Sequence, residues 1–226
     1  MKNFWTKKFN SLSEEQKESF YKTVFLSDDS EFAKQYRKEY YSKLLKKMGD
    51  DVEIGKDVKI VNPQYVSLGK GVKIGDGVTL IARGEGGIEI GNGVLIQERV
   101  YIDTQTEEFG YVKVGANTYI GTGTTIFGHV GLEIGENCLL AQNITITPYS
   151  HKHSDANTLI CKQGGFMEKV TIGDNSYLGM GVCVMYSGNI GEGAVIGAHS
   201  TVVKEIPPYT VAVGTPAKVI KNRKGD

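Results

Sequence analysis

Several features that would place this chain in a common class of protein are missing from it. It has only 3 cysteines in 226 residues, an odd number with no C-x-x-C pair, so we expect free thiols rather than a disulfide framework. Its 26 basic residues are balanced by 26 acidic ones, which leaves no net field to attract nucleic acid or an anionic membrane. No apolar run approaches the roughly 20 residues that cross a bilayer, and no signal peptide is recognisable. A soluble cytoplasmic protein is expected.

The first part of the chain has a helical pattern. Ser13 followed by Gln16 resembles a capping box, and a second helix start lies at Ser30. Large residues then recur every four positions up to Gly49, a natural stop: Phe32, Tyr36, Tyr40, Leu44 and Met48. The pattern predicts two helices between residue 11 and about residue 48, and we assign residues 1–50 to an N-terminal helical cap.

From Val52 the period of the sequence changes to six residues. Glycine follows many of the repeated positions, where it can adopt positive φ at a corner. Aliphatic residues occur in triplets with a constant step of six: Leu68, Ile74, Leu80; Ile90, Ile96, Ile102; Val114, Ile120, Ile126; Ile134, Leu140, Ile146; Ile172, Leu178, Val184; Ile190, Ile196, Val202. Ile54 and Ile60 resemble an incomplete first coil. The pattern predicts an all-β parallel β-helix of hexapeptide repeats over residues 51–206, followed by a C-terminal tail over residues 207–226.

The intervals between triplets vary, whereas the steps within them do not. Successive intervals are 10, 12, 8, 26 and 6 residues, and the longest runs from Ile146 to Ile172. If three hexapeptides form one triangular coil, every insertion falls at the same corner, which in repeat proteins usually marks the binding face. We therefore expect an active-site loop at about residues 147–171, which contains His151, His153 and Asp155.

Several segments resemble one known family over residues 134–221. The segments are Ile134–Asn137, Leu140–Ile146 with His151 after it, Val170–Asn175, Val195–Lys204 and Glu205–Ile220. They resemble the hexapeptide sugar O-acetyltransferases, the group that contains the galactoside and maltose enzymes and many surface-polysaccharide transferases. The resemblance implies a left-handed helix sense, a homotrimer with sites between subunits, and acetyl-CoA as donor, with no metal required.

The resemblance also implies roles for individual residues. It makes His151 the general base, and an imidazole that titrates near neutrality can take the proton of a sugar hydroxyl as that hydroxyl attacks a thioester. His153 is a weaker candidate for binding substrate, and Asp155 could orient an imidazole. His129 could line the acceptor pocket, and Asp28 is a distant counterpart of an acidic acceptor ligand. Gly121 and His129 replace an asparagine and an aspartate of the galactoside branch, which puts galactoside or maltose as acceptor in doubt.

The donor site is implied in the same way. Small residues would let the pantetheine arm of acetyl-CoA lie against the backbone, and lysines would attract its phosphates as point charges. The matching positions for the arm are Gly179, Met180 and Ala198, and those for the phosphates are Lys204, Lys218 and Lys221.

Other functions remain open at this point. The acceptor could be an amine, on a nucleotide-linked aminosugar or on an antibiotic. The same scaffold also serves γ-type carbonic anhydrases, which bind zinc through three histidines, but the four histidines here include only one close pair, His151-x-His153. A non-catalytic scaffold is a further alternative.

Overall fold

The computed structural model describes residues 11–225. Residues 1–10 of the expected cap and residue 226 of the expected tail lie outside the described residues.

Two helices begin where the sequence predicts them. Helix α1 spans Glu14–Tyr21, and Ser13 and Gln16 each accept a backbone N–H of the other, which confirms the capping box. The chain continues through a π-helical turn at Lys22–Ser27. Helix α2 spans Glu31–Ser42, with the Ser30 side chain accepting the backbone N–H of Ala33.

The end of α2 differs from the expectation. The helix stops at Ser42, and Lys47–Met48 form a short strand that pairs in parallel with Ser67–Leu68. Met48 therefore lies opposite Leu68 as the first member of a complete first coil with Ile54 and Ile60. The prediction of helix up to Met48 is wrong because a four-residue spacing does not show that a strand partner is available some 20 residues later in the chain.

The rest of the chain winds into three parallel sheets. Sheet A consists of Lys47–Met48, Val66–Leu68, Ile88–Ile90, Val112–Val114, Leu132–Ile134 and Val170–Ile172. Sheet B consists of Glu53–Ile54, Lys73–Ile74, Leu95–Ile96, Tyr119–Ile120, Leu139–Leu140, Tyr177–Leu178, Val195–Ile196, Thr210–Val213 and Lys218–Asn222. Sheet C consists of Lys59–Val61, Thr79–Ile81, Tyr101–Asp103, Thr125–Phe127, Thr145–Thr147, Cys183–Met185 and Thr201–Val202. Every pairing within the three sheets is parallel except that of the last two strands of sheet B, so the predicted parallel β-helix is confirmed.

The core consists of the predicted triplets stacked in three columns. In sheet C, for example, Ile102, Ile126 and Ile146 are in register and fully buried. The triplet residues of sheets A and B are also buried, with at most 3% of any of them exposed. Burying each aliphatic side chain contributes roughly 1.5–3 kcal/mol, so the columns supply most of the stabilisation of a narrow solenoid.

The three corners of each coil are of two kinds. The corners between sheets A and B and between sheets B and C are short turns of constant length, and we call them the closed corners. The corner at which the chain returns from sheet C to sheet A has a different length in almost every coil, and we call it the open corner. All of the predicted insertions lie at the open corner.

The helices cover the first coil. The side chain of Arg37 is buried and donates to the carbonyl oxygens of Val24, Asp28 and Ile54 at 2.6, 2.8 and 2.9 Å. Because Arg37 lies on α2, while the carbonyls belong to the π-helical turn, to the residue after it and to the first coil, one side chain joins the cap to the solenoid. At the opposite end, Lys218–Asn222 turn back antiparallel to Thr210–Val213.

Candidate functional site

The longest insertion of the open corner forms a small hairpin. Its strands, Tyr149–His151 and Gly165–Met167, pair in antiparallel fashion, with His151 opposite Gly165. The connecting loop is held by Asp155, whose carboxylate accepts from Asn157 N–H and from the Thr158 hydroxyl. These hydrogen bonds hold the pKa of Asp155 below its usual range. The structure gives Asp155 a role in shaping the loop and no contact with an imidazole.

His151 lies at the exposed lip of this hairpin. Its Nδ1 is 3.3 Å from the hydroxyl oxygen of Tyr149, and the two rings meet edge to face with centroids 4.9 Å apart. Its Nε2 has no hydrogen-bond partner among residues 11–225. The second ring nitrogen is therefore accessible to a ligand at the corner.

His129 lies at the open corner of the preceding coil, next to the hairpin. Its ring stacks on that of Tyr149, with centroids 5.2 Å apart and an angle of 9° between the planes. Its Nδ1 is buried and has no hydrogen-bond partner within the described part of the chain. Burial lowers the pKa of His129, and the Asp103 carboxylate opposes that effect only in part. His129 is therefore kept neutral near pH 7.

A buried carboxylate, that of Asp103, lies at the open corner one coil before His129. Asp103 accepts from Arg83 Nε and Nη2 at 3.0 and 2.7 Å, from the Tyr101 hydroxyl at 3.0 Å and from Gln105 N–H at 2.7 Å. Burial alone would raise the pKa of Asp103, but these hydrogen bonds outweigh it and hold the pKa below the usual range. The Tyr101 ring contacts Phe127, and Phe127 contacts His129, with centroids 6.1 and 6.0 Å apart. Polar and aromatic side chains are therefore in contact along the open corner from Asp103 to His151.

Sequence reasoning did not single out Tyr149, Asp103 or Arg83. Asp103 directly follows the third aliphatic residue of a triplet, a position held by Ile81 and Phe127 in the neighbouring coils. A charged residue at that point of a repeat was the signal that could have found it.

Of the other two predicted acceptor residues, His153 is a neighbour of His151 along the chain, whereas Asp28 lies far from His151 within one chain. His153 is exposed in the hairpin loop. Asp28 lies between the helices, where it accepts from the backbone N–H and hydroxyl of Ser30, and its carbonyl contacts Arg37 at the first coil. His151 follows the fifth coil, so about four strand spacings of roughly 4.8 Å separate the two levels.

The predicted donor residues Gly179, Met180 and Ala198 do come together. They occupy adjacent turns of the closed corner between sheets B and C, where Gly179 N–H donates to Ile196 and His199 N–H donates to Met180, both at 2.8 Å. A Cβ at Gly179 would lie 2.6 Å from the backbone nitrogen of Ala198, so this position requires glycine.

The predicted phosphate lysines are exposed at the C-terminal end of the solenoid. Lys218 and Lys221 lie on the last strand of sheet B, opposite Val213 and Val211. Lys204 lies at the open corner after Val202. The donor corner and His151 occupy different edges of the solenoid, with sheet C between them.

Residues 11–225 contain no group of three His, Cys, Asp or Glu side chains placed to hold a metal ion. In the same range, no helix is long and apolar enough to span a membrane.

Comparison with known proteins agrees with the resemblance found in the sequence. Residues 111–148 match the family described as hexapeptide repeat of succinyl-transferase. A probable acetyltransferase of Mycobacterium tuberculosis is 34% identical over 167 residues, which cover 74% of this chain and 54% of that protein. The galactoside O-acetyltransferase of Escherichia coli is 32% identical over 135 residues, which cover 58% of this chain and 62% of that enzyme. The matches thus span between about half and two thirds of each relative.

Among solved structures, the similarity extends to the fold. AntD, an N-acyltransferase from Bacillus cereus crystallised as a mutant with dTDP and coenzyme A, superposes with a TM-score of 0.60 at 21% identity, over 83% of this chain and 89% of AntD. In sequence and in fold the chain is similar to hexapeptide-repeat acyltransferases.

Proposed function

We propose that the protein is an acetyl-CoA-dependent O-acetyltransferase that acts on a hydroxyl of a sugar or glycan, with His151 as general base. The proposal rests on the surroundings of His151. Its ring is exposed at the open corner, and its Nδ1 faces the hydroxyl of Tyr149. Its Nε2 has no hydrogen-bond partner among the described residues. The named relatives, which include a galactoside O-acetyltransferase, support the reaction class.

The chemistry requires one proton acceptor and no covalent enzyme intermediate. Nε2 of His151 takes the proton of the acceptor hydroxyl while the hydroxyl oxygen attacks the carbonyl carbon of the thioester. The tetrahedral intermediate then expels the coenzyme A thiolate, which takes the proton back from the imidazolium, so that the products are an acetyl ester and coenzyme A. None of the free thiols Cys138, Cys161 and Cys183 is needed as a nucleophile. Free thiols also fit the reducing cytoplasm in which we place the reaction.

The donor would lie along the closed corner of Gly179, Met180 and Ala198. The tight backbone packing there leaves a surface without bulky side chains, except for the flexible Met180, which is 47% exposed. Lys204, Lys218 and Lys221 would neutralise the phosphates of acetyl-CoA from the same end of the solenoid.

A homotrimer would bring the two parts together. The donor corner and His151 lie on different edges of one chain, so a site that uses both requires a neighbouring copy. The outer face of sheet B offers an apolar contact surface, since six residues in register along it are apolar or aromatic: Leu95, Tyr119, Leu139, Tyr177, Val195 and Val211. Leu139 remains 54% exposed in the single chain. Light scattering should give the mass of three chains, and Leu139→Asp should lower it.

The proposal is tested by acetyl-CoA consumption with a panel of sugars, glycans, nucleotide-linked aminosugars and aminoglycoside antibiotics. We expect turnover with a hydroxyl acceptor, and NMR of the product should show an ester rather than an amide. On that acceptor, His151→Ala should lower turnover at least about 100-fold, the scale of general-base assistance, with acetyl-CoA binding retained.

His153→Ala is the matched control, because it removes the neighbouring loop imidazole and should change turnover less than about tenfold. Near-normal turnover of His151→Ala would refute the assignment of the base. An amide product would establish the alternative amine acceptor.

A further inference from the structure

We infer that Tyr149 is a positioning residue that holds the imidazole of His151 in the tautomer with hydrogen on Nδ1. The inference deepens the proposed function and depends on His151 being the base. It also makes the Tyr149 hydroxyl an acceptor in the contact with His151.

Three neighbours fix the ring of Tyr149. His129 stacks against one face, and His151 meets the ring edge to face. The third neighbour is Gly165 on the paired strand, where an added Cβ would lie 2.3 Å from the Tyr149 hydroxyl oxygen and 2.4 Å from Cε2. Because Gly165 has no side chain, the tyrosine can lie across its backbone with the hydroxyl directed at His151.

The tautomer follows from the role of the base. If Nε2 takes the proton of the acceptor, its lone pair must be free, and in neutral imidazole the hydrogen must then be on Nδ1. The atom facing Nδ1 is the Tyr149 hydroxyl oxygen, at 3.3 Å. In the described part of the chain no carboxylate contacts this imidazole, and Asp155 is engaged by Asn157 and Thr158. The phenol oxygen is therefore the group that can orient the base.

Few other titratable groups surround Tyr149 and His151. The paired strand Gly165–Met167 has no titratable side chain, and on the hairpin itself only the exposed Lys152 and His153 follow directly. The preceding coil contributes His129, and one coil before that the buried Asp103 carboxylate pairs with the partly exposed Arg83. Burial lowers the pKa of His129, which favours the neutral form of the imidazole that stacks on Tyr149.

The test is Tyr149→Phe, which removes the hydroxyl and keeps the ring. Nitrogen-15 NMR of the imidazoles reports the tautomer, and the His151 signals are identified as those lost in His151→Ala. We expect the fraction with hydrogen on Nδ1 to fall. Turnover should fall about threefold to tenfold, the scale of one neutral hydrogen bond, with the KM of both substrates unchanged.

The pH profile gives an independent readout. A hydroxyl that accepts from Nδ1 stabilises the imidazolium more than the neutral ring, because hydrogen bonds to charged groups are stronger. Its removal should therefore move the acid limb of kcat/KM to lower pH. An upward shift would mean that the phenol donates to Nδ1, and it would overturn the inference, as would an unchanged tautomer fraction.

Two further variants show whether a change in the His151 tautomer comes from the loss of the Tyr149 hydroxyl. Tyr186→Phe removes a hydroxyl near the same hairpin, on a ring that contacts Phe166, and should change none of the readouts. Gly165→Ala should displace the ring and reproduce the tautomer shift of Tyr149→Phe, which also covers the case in which the phenylalanine variant folds poorly. The NMR measurement of the tautomer does not depend on turnover. If His151 is not the base, the His151→Ala enzyme stays active. If only the role of Tyr149 is wrong, His151→Ala is inactive but the tautomer fraction does not change in Tyr149→Phe.

Discussion

The closed and open corners of the solenoid are made by the same chain under opposite constraints. At a closed corner every coil lies directly on the next. A Cβ on Gly115, for example, would lie 2.5 Å from the carbonyl carbon of Gly135 in the following coil. Asn117, which turns this corner with φ of 57°, donates its N–H to Asn92 in the preceding coil. A closed corner therefore has one length and one path.

At the open corner the chain leaves the stack before it returns. The segments between sheet C and sheet A range from a few residues to the hairpin that carries His151. Contacts there are made by side chains, such as Tyr149 on His129, rather than by a repeated backbone turn. The comparison shows how a repetitive fold acquires a specific site: two corners maintain the stack, and the third is free to vary.

Lengthening a corner should have very different effects at the closed and open corners. Inserting two glycines between Ala116 and Asn117 should lower the free energy of unfolding by about 3 kcal/mol or more, since several interior hydrogen bonds worth roughly 1 kcal/mol each are lost. The same insertion between the exposed residues Glu108 and Phe109 at the open corner should cost less than about 0.6 kcal/mol, which is the cost of doubling a loop. Urea denaturation measures both, and equal losses would contradict the distinction.

Replacing one glycine by alanine at each kind of corner should have smaller effects on stability. Gly115→Ala places a Cβ against backbone atoms of the next coil and should destabilise the protein by about 3 kcal/mol, the upper end of overpacking effects. Gly164→Ala in the hairpin loop has no atom within 4 Å of the new Cβ and suffers only from a φ of +74°, so about 1 kcal/mol is expected. Thermal and urea unfolding of the two variants test the order, and a reversed order would mean that backbone strain outweighs packing.

The smallest expected effect is a pH dependence at the open corner. Burial lowers the pKa of His129 in the folded state, so below its ordinary pKa of about 6.5 the unfolded chain binds a proton that the folded chain does not. Stability should fall as the pH decreases from 7.5 to 5, by at most about 1.4 kcal/mol per pH unit for one group. His129→Phe, which keeps a ring for the stack, should flatten the slope of urea midpoints.

An unchanged slope in His129→Phe would show that another group carries the effect. The depressed pKa of Asp103 does not interfere in this range, because its contribution is present above the ordinary aspartate pKa and is lost only at lower pH.

Much of the fold could be predicted because the hexapeptide spacing is repeated many times. Ile102, Ile126 and Ile146 are each the third member of a triplet, and the structure places them in one column. The sequence predicts helix at Met48 because its spacing from Leu44 and Tyr40 fits a helix as well as its spacing from Ile54 fits a coil. At the junction of two periods only the pairing with Leu68 decides between them.

At the candidate site, the sequence by itself determined the position of the variable corner and the presence of His151 in its longest insertion, because both follow from intervals along the chain. Only the tertiary structure decided that Tyr149 lies between His129 and His151, and that Gly165 leaves room for its ring. The physical reason is the same in each case. A stacked coil repeats its contacts at fixed intervals, whereas an inserted hairpin makes contacts that depend on its own path and on side chains from the coil below.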